Sequence, residues 1–231
     1  MTERAVPTGI RLWLLIALPL LIQFVALGLG ASLLSTLTGD APRETTLTYL
    51  PQAVLVVLAY VIFGLAIWGV ARVLGDPRQI LALHRTPLRR AVLLAGGGLI
   101  VGIIAAAALE PIFHGSARQP ISAGDITTVA TMAALVLSII AIVGGAALTE
   151  ELYFRGLLYG RLDARLGVAS AVVGSAGAFA LAHFDPNAFP VLLVLGLILG
   201  FVRLRTGSVW PGVGLHAANN VIAVIALLAA R

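Results

Sequence analysis

The sequence predicts an all-α protein, a polytopic transmembrane helical bundle of about seven spans, on three observations. Of its 231 residues, 60% are hydrophobic and only 11% are charged, whereas about a quarter of the residues in soluble domains carry charge. The apolar residues occur in runs of about 20, the length that an α-helix needs to cross the hydrocarbon core of a bilayer. The basic residues lie in short gaps between these runs, which favours a signal for membrane orientation over nucleic-acid binding.

Seven apolar runs are predicted as spans, and the chain length leaves room for an eighth crossing. They lie near residues 12–34, 53–74, 91–109, 127–149, 168–184, 188–204 and 208–230. Three of them fall in residues 1–125 and four in residues 126–231. No polar stretch between them is long enough to predict a soluble domain.

Arginines cluster after the second, fourth and sixth predicted spans. The clusters are Arg78, Arg85, Arg89 and Arg90; Arg155, Arg161 and Arg165; and Arg203 and Arg205. Because Lys and Arg are enriched in cytoplasmic loops, we expect these gaps and the N-terminus to be cytoplasmic. The chain is rich in Ala, Leu, Gly and Arg and contains no lysine, which favours the cytoplasmic membrane of a bacterium.

Three groups of polar residues interrupt the later apolar runs. They are Glu150-Glu151 with Arg155, Phe179-x-x-x-His183, and His216-x-x-x-Asn220. Ionisable residues inside membrane spans are costly to bury and mark a functional site by default. Carboxylates, imidazoles and an amide can together activate a water and stabilise an oxyanion, so the sequence favours hydrolysis within the membrane. Because the chain has no cysteine, a thiolate nucleophile and a thiolate metal site are both excluded.

The spacing along the chain predicts that these groups meet. A helical hairpin turning at residues 163–167 would place Glu150 and His183 each about 16 residues from the turn, ~25 Å along each arm. His216 follows the turn predicted at residues 205–207 by about nine residues and would enter from the same side. A proton relay in a transporter is the alternative, but it would string its groups over several depths.

Within each group the spacing also predicts separate roles. Glu151 and Arg155 are four residues apart, so they should form an ion pair that supports the site. Glu150 is rotated about 100° away on the helix and remains free to act as a general base. His216 and Asn220 are also four residues apart and can both donate to an oxyanion. Phe179 is predicted to serve packing.

The three groups, in this order and each on a suitable span, resemble the motifs of the CPBP family of intramembrane proteases. That family comprises type II CAAX prenyl endopeptidases and bacteriocin-processing and self-immunity proteins. The run from Glu150 to Gly156 and Trp210-Pro211 ahead of His216 are similar as well. The resemblance covers residues 126–230, and it identifies residues 126–231 as a CAAX-protease-like catalytic core that follows the N-terminal helices of residues 1–125.

The resemblance implies an endopeptidase that cuts peptide or membrane-protein substrates at a site open to the cytoplasm. By motif position, Glu150 and His183 would activate the water, His216 and Asn220 would stabilise the oxyanion, and Glu151 and Arg155 would support them. Zinc held by Glu150, His183 and His216 is an alternative. A mechanism without a cofactor is favoured, because no second carboxylate is evident to orient either imidazole. A non-catalytic immunity or scaffold protein with the same fold is the remaining alternative.

Overall fold

The computed structural model describes residues 8–38, 45–113, 121–122 and 124–229. Nearly all of them are helical, and the predicted fold class, an all-α polytopic helical bundle, is confirmed. Besides turns and loops, the described residues contain a short parallel pairing of Thr45–Thr46 with Ile121–Ser122. The N-terminus, which we predict to be cytoplasmic, lies outside the described residues.

Ten α-helical segments and two π-helical segments make up the described chain. They are α1 (Gly9–Thr38), α2 (Leu50–Leu74), α3 (Pro77–Ile80), α4 (Leu88–Phe113), α5 (Val129–Ile139), π1 (Ile140–Ala146), α6 (Ala147–Glu151), π2 (Leu152–Leu158), α7 (Tyr159–Leu166), α8 (Val168–Leu181), α9 (Phe189–Thr206) and α10 (Trp210–Ala229). The segments from α5 to α7 follow one another without a break and form one long helix, Val129–Leu166.

Six helices in the described part of the chain are long and apolar enough to cross a membrane. They are Gly9–Leu37, Leu50–Leu74, Leu88–Phe113, Val129–Leu166, Phe189–Thr206 and Trp210–Ala229. The span predicted near 168–184 differs, because α8 has only 14 residues. At 1.5 Å per residue it is ~21 Å long, less than the ~30 Å hydrocarbon core. The apolar run in the sequence continues beyond the point where this helix ends.

The chain divides into two compact units, each formed from separate stretches. The first contains the described residues of 1–75, 120–149 and 220–231, and the second those of 76–119 and 150–219. In the first unit, α1 packs on α2, and α2 packs on α5 and π1. Gly145 in π1 lies against the ring of Tyr60, where an added Cβ would come within 3.3 Å of the ring. A larger residue would therefore require the Tyr60 ring to shift slightly.

In the second unit, α8 packs against both α7 and α9, and α9 packs against α4. The predicted turn between α7 and α8 is confirmed at Gly167, whose φ of 83° lies in the region that favours glycine. Gly196 allows α9 to approach α8, since an added Cβ would lie 3.0 Å from the backbone of Ala176. The turn predicted at residues 205–207 also forms, with Gly207 left-handed.

Candidate active site

The two glutamates of the first motif lie in α6, a short α-helical stretch between the two π-helical segments. Arg155 lies in π2, one turn further along. A π-helical turn leaves backbone carbonyls poorly matched to the helical ladder, and such turns are frequent at functional sites. In π2 the carbonyl of Arg155 accepts a hydrogen bond from Nε of Arg203 at 3.0 Å. A side chain from α9 therefore supports the wider helical turn that follows the glutamates.

The ion pair predicted between Glu151 and Arg155 forms in the interior. Oε1 of Glu151 lies 3.0 Å from Nη1 of Arg155, and both side chains are fully buried. Nη2 of Arg155 donates a hydrogen bond to the carbonyl of Gly196 at 3.1 Å. Because a buried charge is costly without partners, this pair and its backbone contact fix the first motif against α9.

Phe179, from the second motif, lies at the centre of a group of rings. The guanidinium carbon of Arg155 lies 4.6 Å from the centroid of its ring, the geometry of a cation–π contact. The rings of His183 and His216 lie edge-on to it, with centroids at 4.8 and 5.6 Å. Phe179 is fully buried, so its predicted role in packing holds, and it contacts all three motifs.

The His216 imidazole lies between the two glutamates. Its Nδ1 is 3.4 Å from Oε1 of Glu151, and its Nε2 is 4.0 Å from Oε2 of Glu150. The sequence assigned Glu151 to Arg155 alone, and this was incomplete, because the same carboxylate oxygen also faces the histidine. From the sequence we expected no carboxylate that could orient either imidazole. At His216 the carboxylate of Glu151 is in that position.

Glu150 differs from its neighbour in both exposure and partners. Its side chain is 15% exposed, whereas that of Glu151 is fully buried. Oε2 of Glu150 is itself buried and has no hydrogen-bond partner among the described residues. The carboxylate therefore keeps a free acceptor oxygen facing the imidazole of His216.

His183 lies just beyond the end of α8 and is exposed. Its Nδ1 is 2.8 Å from the carbonyl oxygen of Phe179. A carbonyl can only accept, so this hydrogen bond requires the proton on Nδ1 and leaves Nε2 with its lone pair in the neutral ring. If His216 likewise donates from Nδ1 to Glu151, both imidazoles present Nε2 as the free nitrogen.

Asn220, predicted as an oxyanion donor, belongs to the first compact unit. There its Nδ2 donates a hydrogen bond to the carbonyl of Ile142 in π1 at 2.8 Å. The second unit brings together the other predicted residues, which are Glu150, Glu151, Arg155, His183 and His216. The role of Asn220 toward an oxyanion stays a prediction.

Gly212 is a site residue that the sequence reasoning missed. A Cβ at this position would lie 2.8 Å from Oε2 of Glu151, closer than side-chain atoms normally approach. Glycine at this position on α10 therefore lets the helix bearing His216 come close to the carboxylate. The only signal in the sequence is the glycine four residues before the histidine, which predicts a close approach without naming the partner.

The three donors considered for zinc are not gathered as a metal site. Among the residues that the structure describes, no group of three or more His, Cys, Asp or Glu side chains is placed to hold a metal ion. The arrangement of Glu150, His183 and His216 thus does not fit a three-ligand zinc centre, and we derive no step through a metal. A reaction without a cofactor stays a prediction, with zinc as the alternative.

Fold and site together define a class of protein: an integral membrane protein whose helices hold an acid–imidazole site. The sequence model of one family, described as type II CAAX prenyl endopeptidase Rce1-like, matches residues 130–222, a segment that includes all three motifs. Over these residues the chain is similar to that family, as the motifs predict. The family implies an intramembrane endopeptidase, with a peptide or protein substrate in the bilayer. No curated protein and no solved structure matches the chain.

Proposed function

We propose that the protein hydrolyses peptide bonds with a water activated by Glu150 and His216. The observation that carries this proposal is the free Oε2 of Glu150, buried and 4.0 Å from Nε2 of His216. This separation is longer than a direct hydrogen bond and allows one water to contact both atoms. A carboxylate within reach of a water can take its proton as the water attacks.

The proposed reaction needs only groups that the chain supplies. The water oxygen forms a bond to the substrate carbonyl carbon while Glu150 takes a proton from it. The tetrahedral intermediate then breaks its bond to nitrogen, and the proton passes to the leaving amine. Because Nδ1 of each imidazole faces the carbonyl of Phe179 or the carboxylate of Glu151, a histidine could donate to the developing oxyanion only from a protonated Nε2, and Asn220 is a predicted further donor.

Glu151 and Arg155 are proposed as positioning residues. Glu151 accepts from Nδ1 of His216, which directs Nε2 toward Glu150. Arg155 neutralises Glu151 and ties it to α9. Their effect on turnover should therefore act through the orientation of His216.

One observation favours the zinc-dependent alternative. Each imidazole has an acceptor next to Nδ1, the carbonyl of Phe179 or the carboxylate of Glu151, and such acceptors commonly orient histidine ligands of metals. The absence of a three-donor group among the described residues argues for the reaction without metal. Removal of metal separates the two mechanisms.

The test is cleavage of a fluorogenic peptide library by purified protein in detergent, with and without a chelator. Glu150→Gln should lower turnover by about 10²–10⁴-fold, the usual contribution of a general base. Its unfolding temperature should stay near that of the wild type, since Oε2 has no partner to lose. Asp125→Asn, which changes an exposed carboxylate outside the site, is the matched control and should retain activity.

Three results would contradict parts of the proposal. Full activity of Glu150→Gln would remove its role as the base. Activity abolished by the chelator and restored by zinc would establish the metal-dependent mechanism. A folded wild type that cleaves no library member, in detergent or in liposomes, would favour the non-catalytic immunity or scaffold protein.

The same proposal includes a peptide or membrane-protein substrate, a site that opens to the cytoplasm and a location in a bacterial cytoplasmic membrane. The arginine clusters in the gaps and the lysine-free composition support the last two. Accessibility of a cysteine introduced at Arg165, probed from each side of the membrane, tests the orientation. Labelling only from outside the cell would contradict it.

A further inference from the structure

Two adjoining hollows on the second compact unit share lining residues. One is an apolar groove of about 480 Å³ between α4 and α9, lined by residues that include Gly97, Gly98, Leu197 and Phe201. The other, of about 460 Å³, is lined by Pro87, Arg89, Arg90 and Arg205. Leu93 and Leu94 line both. The two hollows therefore lie side by side, a basic mouth next to an apolar groove.

The mouth is formed where α4 begins and α9 ends. Arg89 and Arg90 lie in the first turn of α4, and Arg205 lies in the last turn of α9. All three side chains are exposed, and within the described part of the chain no carboxylate lines the mouth. The guanidinium carbon of Arg205 lies 5.5 Å from the ring centroid of Phe201, a residue that lines the groove. The first-turn N–H groups of α4 add partial positive charge at the same end.

The groove is built to leave space beside α4. A Cβ at Gly98 would meet Leu215 and Ile198 at 2.7 and 2.8 Å, so this glycine brings the helix close to its neighbours. A Cβ at Gly97, one residue earlier, would meet nothing within 4 Å. Between Leu93 and Val101 the groove follows α4 for ~12 Å. Its lining is almost entirely apolar, which suits a hydrocarbon chain rather than a polar peptide.

We propose that this surface binds an anionic phospholipid of the surrounding bilayer. The phosphate would lie among Arg89, Arg90 and Arg205, because guanidinium groups form paired, charge-assisted hydrogen bonds with phosphate oxygens. One acyl chain would lie in the groove along α4 and α9. Basic pockets between transmembrane helices are a recurrent way of binding anionic headgroups. The proposal is independent of the peptidase activity.

Lipid retention by the full-length protein in detergent, measured by native mass spectrometry, tests the headgroup contact. Phosphatidylglycerol should be retained in preference to phosphatidylcholine, and the substitution of Arg89, Arg90 and Arg205 by Gln should remove this preference. We expect about a fivefold loss of affinity for each arginine, about a hundredfold in all. The control replaces three exposed arginines outside both hollows, Arg78, Arg85 and Arg165, by Gln, and it should keep the preference.

A second pair of variants tests the groove. Gly97→Leu should fill it and lower the retention of phosphatidylglycerol about tenfold. Gly96→Leu is the matched control, since Gly96 also has nothing within 4 Å but does not line the groove. The thermal unfolding of all variants is recorded beside retention, so that a misfolded variant is recognised.

Several outcomes would overturn the proposal. The first is an equal loss of the preference for phosphatidylglycerol in the two triple-arginine variants. This result would show that the preference depends only on the net charge of the protein. The second is equal retention by Gly97→Leu and Gly96→Leu. The third is a thermal shift with soluble glycerol phosphate as large as that with the lipid, which would leave the groove without a role. Displacement of bound lipid by a peptide with an apolar C-terminus would instead assign the groove to substrate.

Discussion

The site has two sides that differ in burial and in ion pairing, although Glu150 and Glu151 are adjacent in the chain. On the buried side, Glu151 and Arg155 are fully enclosed and contact each other, His216 and the Gly196 carbonyl. On the open side, Glu150 is partly exposed, and its Oε2 has no hydrogen bond to any residue that the structure describes. His183 on this side is exposed, and its imidazole makes a hydrogen bond to the backbone carbonyl of Phe179.

This difference shows how two identical side chains come to have different uses. Glu151 is fully buried and paired with Arg155, so it is held in place and is not reached by water, although its Oε2 also has no hydrogen-bond partner among the described residues. A partly exposed carboxylate with a free oxygen facing an imidazole can take a proton from water. We therefore expect changes on the buried side to reduce stability and changes on the open side to reduce turnover alone.

The largest effect on stability is expected from Arg155→Met. This change leaves Glu151 buried without its cation, which typically costs about 3–5 kcal/mol. Unfolding in detergent, followed by circular dichroism against temperature or denaturant, measures the loss. Arg165→Met, at an exposed arginine, should change stability by no more than about 0.5 kcal/mol.

The double variant Glu151→Gln/Arg155→Met makes this test sharper. Because it removes both charges, it should recover part of the stability lost by Arg155→Met. Turnover should remain low, since the carboxylate behind His216 is gone. An Arg155→Met protein as stable as the wild type would show that Glu151 is not held by this pair.

A smaller effect is expected from Gly212→Ala, which adds one methyl group against Oε2 of Glu151. The carboxylate or α10 must shift, and such overpacking typically costs about 1–3 kcal/mol. Turnover should fall as well, because Glu151 orients His216. Both quantities are measured beside those of Gly214→Ala, where an added Cβ meets nothing within 4 Å.

The comparison of these two alanine variants is decisive because the chemical change is the same. If Gly214→Ala lost as much stability and turnover as Gly212→Ala, the effect would reflect the helix backbone rather than contact with Glu151. If neither variant changed, the buried side would be more adaptable than its packing indicates.

The features that the sequence predicts correctly depend on local rules. Apolar runs predict helices because every backbone polar group in a bilayer must be bonded within the chain. The ion pair of Glu151 with Arg155 follows from residues four apart on one helix. The turn at Gly167 follows from the short polar stretch ahead of it and from glycine.

Other features depend on contacts between distant parts of the chain or on helix register. The hydropathy pattern predicts neither of these. Glu151 and His216 are 65 residues apart, so their contact depends on how helices pack. The two π-helical segments are invisible to apolar periodicity, although they flank the glutamates. The fifth predicted span is shorter than expected because α8 ends at Leu181 while apolar residues continue.

The smallest effect is expected from Asn220→Ala, which extends the comparison to π1 in the first compact unit. The change removes the hydrogen bond that Asn220 donates to the carbonyl of Ile142. In π2 the side chain of Arg203 makes the equivalent contact to the carbonyl of Arg155. Loss of a neutral hydrogen bond that leaves a carbonyl without this donor should cost about 1–2 kcal/mol. Unfolding in detergent measures the loss, with Asn219→Ala as the control.

A stability equal to that of Asn219→Ala would show that π1 does not need this contact. A turnover loss of about 10²-fold or more without loss of stability would instead assign Asn220 to the oxyanion, since removal of one such donor has that effect.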